Sequence, residues 1–139
     1  REYQPPPATA RPPAAGGTIL VVDDEPTVAL FVAELLDLEG YRVHTFHEPQ
    51  RALTELLAGE REVDLVITDQ TMPDMSGMEF VTRLHEARPH LPAIIMSGYS
   101  PFLDGTPARD SGAFAYLQKP IEAHALLQAV GMALAANAG

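Results

Sequence analysis

An α/β fold with a parallel sheet is predicted by three features of the chain. Five short apolar runs, near Ile19, Val43, Ile67, Ile94 and Tyr116, alternate with segments of helical periodicity. The first run, Ile19 to Val22, is mostly β-branched and ends at acids, the mark of a strand buried on both faces. The first run leads into Asp23 and Asp24, the third into Asp69, and the fifth is followed by Lys119, the only lysine in the chain. Strict alternation of strand and helix implies a parallel sheet with helices on both faces, so these charged groups meet at one edge, where open α/β folds place their sites.

Taken in order, residues Arg1 to Gly17 hold five prolines, four alanines and two glycines with almost no large apolar side chain. Such a segment cannot bury enough surface to offset its ordering entropy and reads as a proline-rich linker. The domain proper is expected over residues 18–139. Thr18 to Val22 is the first strand. Pro26 suits the first turn of a helix carrying Val28, Phe31, Val32, Leu35 and Leu36 at helical spacing, with Gly40 as its stop. Tyr41 to Phe46 is the second strand. Pro49 opens a helix with Ala52, Leu53, Leu56 and Leu57 on one face, ended by Gly59. Leu65 to Thr68 is the third strand, Asp69 to Ser76 a loop, and Gly77 to about Ala87 a helix that Pro89 and Pro92 forbid from continuing. Ala93 to Ser97 is the fourth strand. The fourth helix falls on Ser100 to Ser111, where Pro101, Gly105 and Pro107 predict something short or irregular. Ala113 to Leu117 is the fifth strand, and Ile121 to Ala136 the last helix.

Composition narrows the function. The 139 residues suit one domain, and 46% hydrophobic residues supply its core. Net charge is −10; the linker contributes +1, leaving −11 on the rest, which would repel nucleic acid. No cysteine is present, which excludes disulfides, thiolate chemistry and cysteine metal sites. No apolar run approaches the ~18 residues of a membrane span, and no signal-peptide pattern opens the chain, so a soluble piece is expected. Its expected location is cytoplasmic, without direct membrane contact, within a parent protein that can itself be membrane-attached. The absence of an initiator methionine suggests a piece of a longer protein.

The segments Val21-Val22-Asp23-Asp24-Glu25-Pro26, Thr68-Asp69-Gln70-Thr71-Met72-Pro73, Ser76-Gly77, Met96-Ser97-Gly98-Tyr99 and Gly112 to Pro120 match, in order and spacing, the receiver domain of two-component response regulators. The chain closely resembles that family from Ile19 to the last helix. The resemblance implies a flavodoxin-like (βα)5 fold with strand order 2-1-3-4-5. It implies that Asp69 is the phosphoacceptor, a carboxylate nucleophile that takes a phosphoryl group from a phosphohistidine. Asp24, Asp69 and the Thr71 carbonyl would hold Mg²⁺, with Asp23 acting mainly through a metal-bound water, a set suited to that cation. Lys119, joined to Pro120 by a cis peptide, and the Ser97 hydroxyl would contact the phosphoryl oxygens. Ser97 and Tyr116 would form the switch, and Thr71 and Tyr99 would tune the lifetime of the acyl phosphate. The implied donors are a histidine kinase phosphohistidine domain or a histidine phosphotransfer protein, with the domain itself a monomer or weak dimer.

The wording from Thr68 to Gly77, with Ser97-Gly98-Tyr99, resembles receivers at the C-terminus of hybrid histidine kinases, and the linker agrees with that placement. A stand-alone regulator acting as a phosphate shuttle or sink is the alternative within the fold. An aspartate-nucleophile phosphohydrolase is the alternative from another class, but its Asp-x-Asp motif at the first strand and its cap insertion are missing. A degenerate receiver that only docks a partner would not need every one of these side chains. Taken singly, Asp24 reads equally well as a helix cap, and Tyr116 as an aromatic packing on a half-buried strand. The stretch Leu84 to Pro89 has the wrong spacing for a phosphorylated-histidine box, and His44 and His47 point to opposite faces of a strand, which disfavours zinc.

Overall fold

A computed structural model of the chain describes residues 17–59, 62–98 and 113–138. Within them lie β1 (Thr18–Val22), α1 (Pro26–Leu38), β2 (Arg42–Phe46), α2 (Pro49–Ala58), β3 (Leu65–Asp69), α3 (Gly77–Ala87), β4 (Ala93–Ser97), β5 (Ala115–Gln118) and α4 (Ala123–Ala138). The strands form one sheet in the order β2-β1-β3-β4-β5, and every pairing is parallel. This is the flavodoxin-like arrangement expected. The helix anticipated over Ser100 to Ser111, Tyr99 and the linker before Gly17 lie outside the described residues.

Several helix boundaries have a local cause. Pro26 and Pro49 stand in the first turns of α1 and α2, where a missing N–H costs nothing. Gly59 ends α2 in the left-handed conformation (φ 74°), and Gly40 follows α1 at φ 94°. The N-cap of α1 is Glu25, and no side chain caps it, so the reading of Asp24 as a helix cap fails. The last helix starts two residues later than its apolar pattern suggests, because the Glu122 carboxylate accepts from the N–H groups of His124 and Ala125 and sets the boundary. The fifth strand is displaced from 113–117 to 115–118 for a related reason. Its ladder runs from Ala115 opposite Ile94 to Gln118 opposite Ser97, so backbone pairing includes a glutamine that hydropathy leaves out.

The sheet separates two cores. Leu20, Val22, Val66, Ala93 and Ile95 face α2 and α3, where Leu53, Leu56, Phe80, Val81 and Leu84 cover them. Ile19, Val21, Leu65, Ile67, Ile94 and Met96 face the other way, against Ala29, Val32 and Leu36 of α1 and Leu126, Val130 and Ala133 of α4. Alternate residues of one strand therefore serve both layers, which explains the unbroken apolar runs. Register then aligns the C-terminal ends. Val22 lies opposite both Phe46 and Thr68, Asp69 opposite Met96, and Ser97 opposite Gln118. The winding direction reverses between β1 and β3, and the acids at the C-terminal ends of these two strands meet in that crevice.

Candidate functional site

The site is assembled from the ends of β1, β3, β4 and β5. Asp23 extends the β1 ladder by donating its N–H to the Phe46 carbonyl at 3.0 Å. Its side chain is fully buried: Oδ1 accepts from Glu25 N at 2.9 Å, and Oδ2 has no hydrogen-bond partner, with Lys119 Nζ 3.5 Å away. Asp69, the last residue of β3, is also buried, and its Oδ1 lies 2.9 Å from Lys119 Nζ. Lys119 is delivered from the far side of the sheet. Its N–H donates to the Ser97 carbonyl at 2.7 Å, and its peptide bond to Pro120 is cis, as expected.

One ammonium thus faces three carboxylates: Asp69 at 2.9 Å, Glu25 at 3.4 Å and Asp23 at 3.5 Å. Burial alone would lower the Lys119 pKa, but the hydrogen bond to Asp69 and the charges of Asp23 and Asp69 outweigh it and raise the pKa, so Lys119 stays charged. Asp23 moves the other way from a normal acid. Burial is the main cause, opposed by the Glu25 N–H and reinforced by the Asp69 charge, and its carboxyl is pushed up to about 6. A single lysine does not balance this cluster.

Asp24 is half-buried beside these groups, and one oxygen each from Asp23, Asp24 and Asp69 lie within 4.8 Å of one another. Three hard oxygens at this separation, from a set in which Asp23 also carries a buried oxygen without a donor, fit a hard divalent cation such as Mg²⁺. The residues that would hold it are Asp23, Asp24 and Asp69, with the loop after Asp69 beside them.

That loop is fixed more firmly than its sequence suggests. Met72 and Met75 are buried and anchor it to the α2/α3 core, leaving Thr71 exposed between Asp69 and Met72. A Cβ on Gly77 would come 2.6 Å from the Asp69 carbonyl oxygen, closer than real Cβ atoms approach, so glycine is required where the loop folds back on α3. Ser97 ends β4 as a buried residue opposite Gln118. Tyr116, opposite Ile95, packs partly buried against the α2/α3 core.

Four of the residues singled out from sequence, Asp23, Asp24, Asp69 and Lys119, are brought together; Ser97 joins them through its carbonyl bond to Lys119 N. Three contributors escaped the sequence reading. Glu25 is a further anion on Lys119. His47 places Nδ1 3.1 Å from the Asp23 carbonyl. Gln70 ties the acceptor loop to α3. Position beside Asp24 and Asp69 was the available signal for Glu25 and Gln70, while nothing local marks His47. His85 has a structural partner, with Nε2 2.7 Å from the Leu91 carbonyl.

The chain belongs to the response regulator receiver domain family, whose model matches residues 19–131. It is 34% identical over 119 residues to the transcriptional regulatory protein GlrR of Escherichia coli, covering 86% of this chain and 26% of that protein. It is 35% identical over 116 residues to the DNA-binding transcriptional regulator NtrC of Rhizobium meliloti, covering 84% and 24%. The chain therefore spans about a quarter of the length of these regulators. Among solved structures, a response regulator receiver domain protein from Clostridium thermocellum superposes with a TM-score of 0.79 at 33% identity, covering 86% of this chain and 95% of the other. A CheY-like receiver domain protein from Methanospirillum hungatei gives the same TM-score, 0.79, at 27% identity, covering 87% and 95%.

Proposed function

We propose that this domain accepts a phosphoryl group on Asp69 from the phosphohistidine of a histidine kinase or of a histidine phosphotransfer protein, with Mg²⁺ held by Asp23, Asp24, Asp69 and the Thr71 carbonyl. The observation that carries this reading is the ammonium of Lys119 2.9 Å from Asp69 Oδ1, inside a ring of acids too negative for one lysine. Asp69 attacks phosphorus, the new O–P bond forms as the donor N–P bond breaks, and the electron pair of that bond leaves with the imidazole. Bound Mg²⁺ supplies neutralisation of the phosphoryl oxygens and of the acids that would otherwise repel them. Lys119 neutralises a further oxygen, and the Ser97 hydroxyl donates to another. Ser97 and Tyr116 form the switch that reports the phosphoryl group to the β4–β5 side of the domain, and Thr71 and Tyr99 set how fast water removes it.

Phosphorylation by acetyl phosphate in Mg²⁺ tests the assignment. The wild-type domain is expected to gain one acyl phosphate, and Asp69→Asn none, because the amide is isosteric but far less nucleophilic. Labelling that persists in a folded Asp69→Asn protein overturns it. A phosphohydrolase would instead turn over external monoesters repeatedly, which the same assay distinguishes.

The placement proposed for the domain is the C-terminal receiver of a hybrid histidine kinase, supported by the Thr68 to Gly77 wording and the proline-rich linker. A second reading, a receiver joined to a transcriptional output module, is favoured by the relatives, which are named as transcriptional regulators. In either placement a net charge of −10 argues against this segment touching DNA itself. The coding sequence on either side of these residues separates the two: a kinase catalytic region supports the first, a DNA-binding region the second.

A further inference from the structure

Gln70, the residue after the proposed acceptor, has three hydrogen bonds, and they run to two different elements. Its N–H donates to the Met96 carbonyl of β4 at 2.7 Å. Its own carbonyl accepts from Gly77 N at 3.0 Å, and its side-chain Oε1 accepts from Met78 N at 3.0 Å. Gly77 and Met78 are the first two residues of α3, and the third, Glu79, donates to the Ser76 hydroxyl at 3.1 Å. A helix leaves its first N–H groups without intrahelical partners. Here one residue of the acceptor loop supplies two of the three caps, and the usual N-cap serine supplies the third.

We infer that Gln70 is a positioning residue for the Mg²⁺ and phosphoryl site, acting through this double clasp. The inference rests on the proposed function of Asp69. Between Gln70 and Ser76 lie Thr71, whose carbonyl the proposed metal set uses, and the buried anchors Met72 and Met75. The Gln70 amide closes this loop on α3 immediately beside Asp69, while Gly77 lets the helix approach the Asp69 carbonyl. Because the Met78 half of the clasp is made by a side chain, a residue of similar length with only a weak acceptor removes that half while the backbone bonds, Gly77 N to the Gln70 carbonyl included, remain. Met78 N–H then needs water, and the Thr71 carbonyl loses the restraint that holds it near the acids.

The test compares Gln70→Met, Gln70→Glu and Ser76→Ala in the whole chain, measuring urea stability, Mg²⁺ affinity by calorimetry in the absence of phosphodonor, amide exchange at Met78, and the acetyl phosphate labelling rate. Both Gln70→Met and Ser76→Ala remove one cap from the same helix end and are expected to lower stability to a similar extent. Only Gln70→Met is expected to weaken Mg²⁺ binding, by about 3–10-fold, the size of one hydrogen bond, and to slow labelling at subsaturating Mg²⁺. It also exposes Met78 N–H to fast exchange. Gln70→Glu retains an acceptor for Met78 N–H and is expected to restore slow exchange and Mg²⁺ affinity. Equal loss of affinity in Gln70→Met and Ser76→Ala overturns the inference in favour of helix stability alone, as does unchanged affinity in Gln70→Met. Labelling of the wild type that fails while these affinity differences hold counts against the function proposed for Asp69 and leaves the clasp supported.

Discussion

Lys119 Nζ and Asp69 Oδ1, 50 positions apart in the chain, stand 2.9 Å apart at the edge of the sheet. The same ammonium lies 3.5 Å from the fully buried Asp23, so it offsets two carboxylates that the fold has taken out of water. Such a pair is weak evidence for stability, but removing one partner leaves uncompensated charge.

Lys119→Met is therefore expected to have two effects. Labelling of Asp69 slows by about 100-fold, the size typical for loss of one group that stabilises transferring charge. The metal-free domain loses about 3 kcal/mol at pH 7.5, and the loss shrinks toward pH 5 as Asp23 takes up a proton in place of the missing cation. Urea unfolding at both pH values checks this. A loss independent of pH would mean that the lysine contributes through packing and not through charge.

The carboxyl of Asp23, pushed up by burial from its ordinary value of 3.8 to about 6, fixes the sign of a pH dependence. The native state binds this proton more tightly than the unfolded chain. Its contribution to stability is fully present below pH 3.8 and is lost as pH rises through about 6, a swing on the order of 3 kcal/mol. Metal-free protein should gain stability from this group between pH 7.5 and 5, and Asp23→Asn should remove that gain. Mg²⁺ affinity, which requires the ionised acid, should fall below pH 6. An Asp23→Asn variant with the wild-type pH profile would show that another group titrates.

Two glycines give opposite expectations for the same substitution. Gly77→Ala forces a methyl group against the Asp69 carbonyl and is expected to cost about 1–3 kcal/mol and to weaken Mg²⁺ binding. Gly131 sits exposed inside α4 with nothing within 4 Å of an added Cβ, so Gly131→Ala is expected to stabilise by about 0.5–1 kcal/mol. Thermal unfolding of the two variants decides. A destabilised Gly131→Ala would point to a contact that the open helix face does not reveal.

Glu25→Gln tests the exposed arm of the lysine network. Its carboxylate is 3.4 Å from Lys119 Nζ but faces solvent, so stability should change by less than about 1 kcal/mol. With one anion fewer beside Lys119, labelling by the anionic donor acetyl phosphate should accelerate by about two- to threefold at low salt, and the gain should fade by about 1 M salt. Slower labelling at every ionic strength would show that Glu25 holds Lys119 in its working position.

Much of this molecule was legible along the chain. The apolar runs led into Asp23, Asp69 and Lys119, and, among the described residues, proline and glycine punctuation located the helices to within about two residues. These signals are local, because burial on both faces selects unbroken apolar strands and backbone sterics select the residues at helix ends. The limits of the fifth strand were less legible. Hydrogen-bond pairing to β4 decides that Gln118 belongs to it, and hydropathy carries no record of pairing.

By itself, then, the sequence determined the alternating architecture, the identity of the four central charged residues and the resemblance that joins them. Only the tertiary structure decided how one cation is shared. It set Lys119 against Glu25 as well as Asp23 and Asp69, left Asp23 Oδ2 buried without a hydrogen-bond donor, and turned Gln70 into a double cap on α3. The physical reason is that strand order and register set which loop ends meet, and distances of a few ångströms between such ends determine which charges pair.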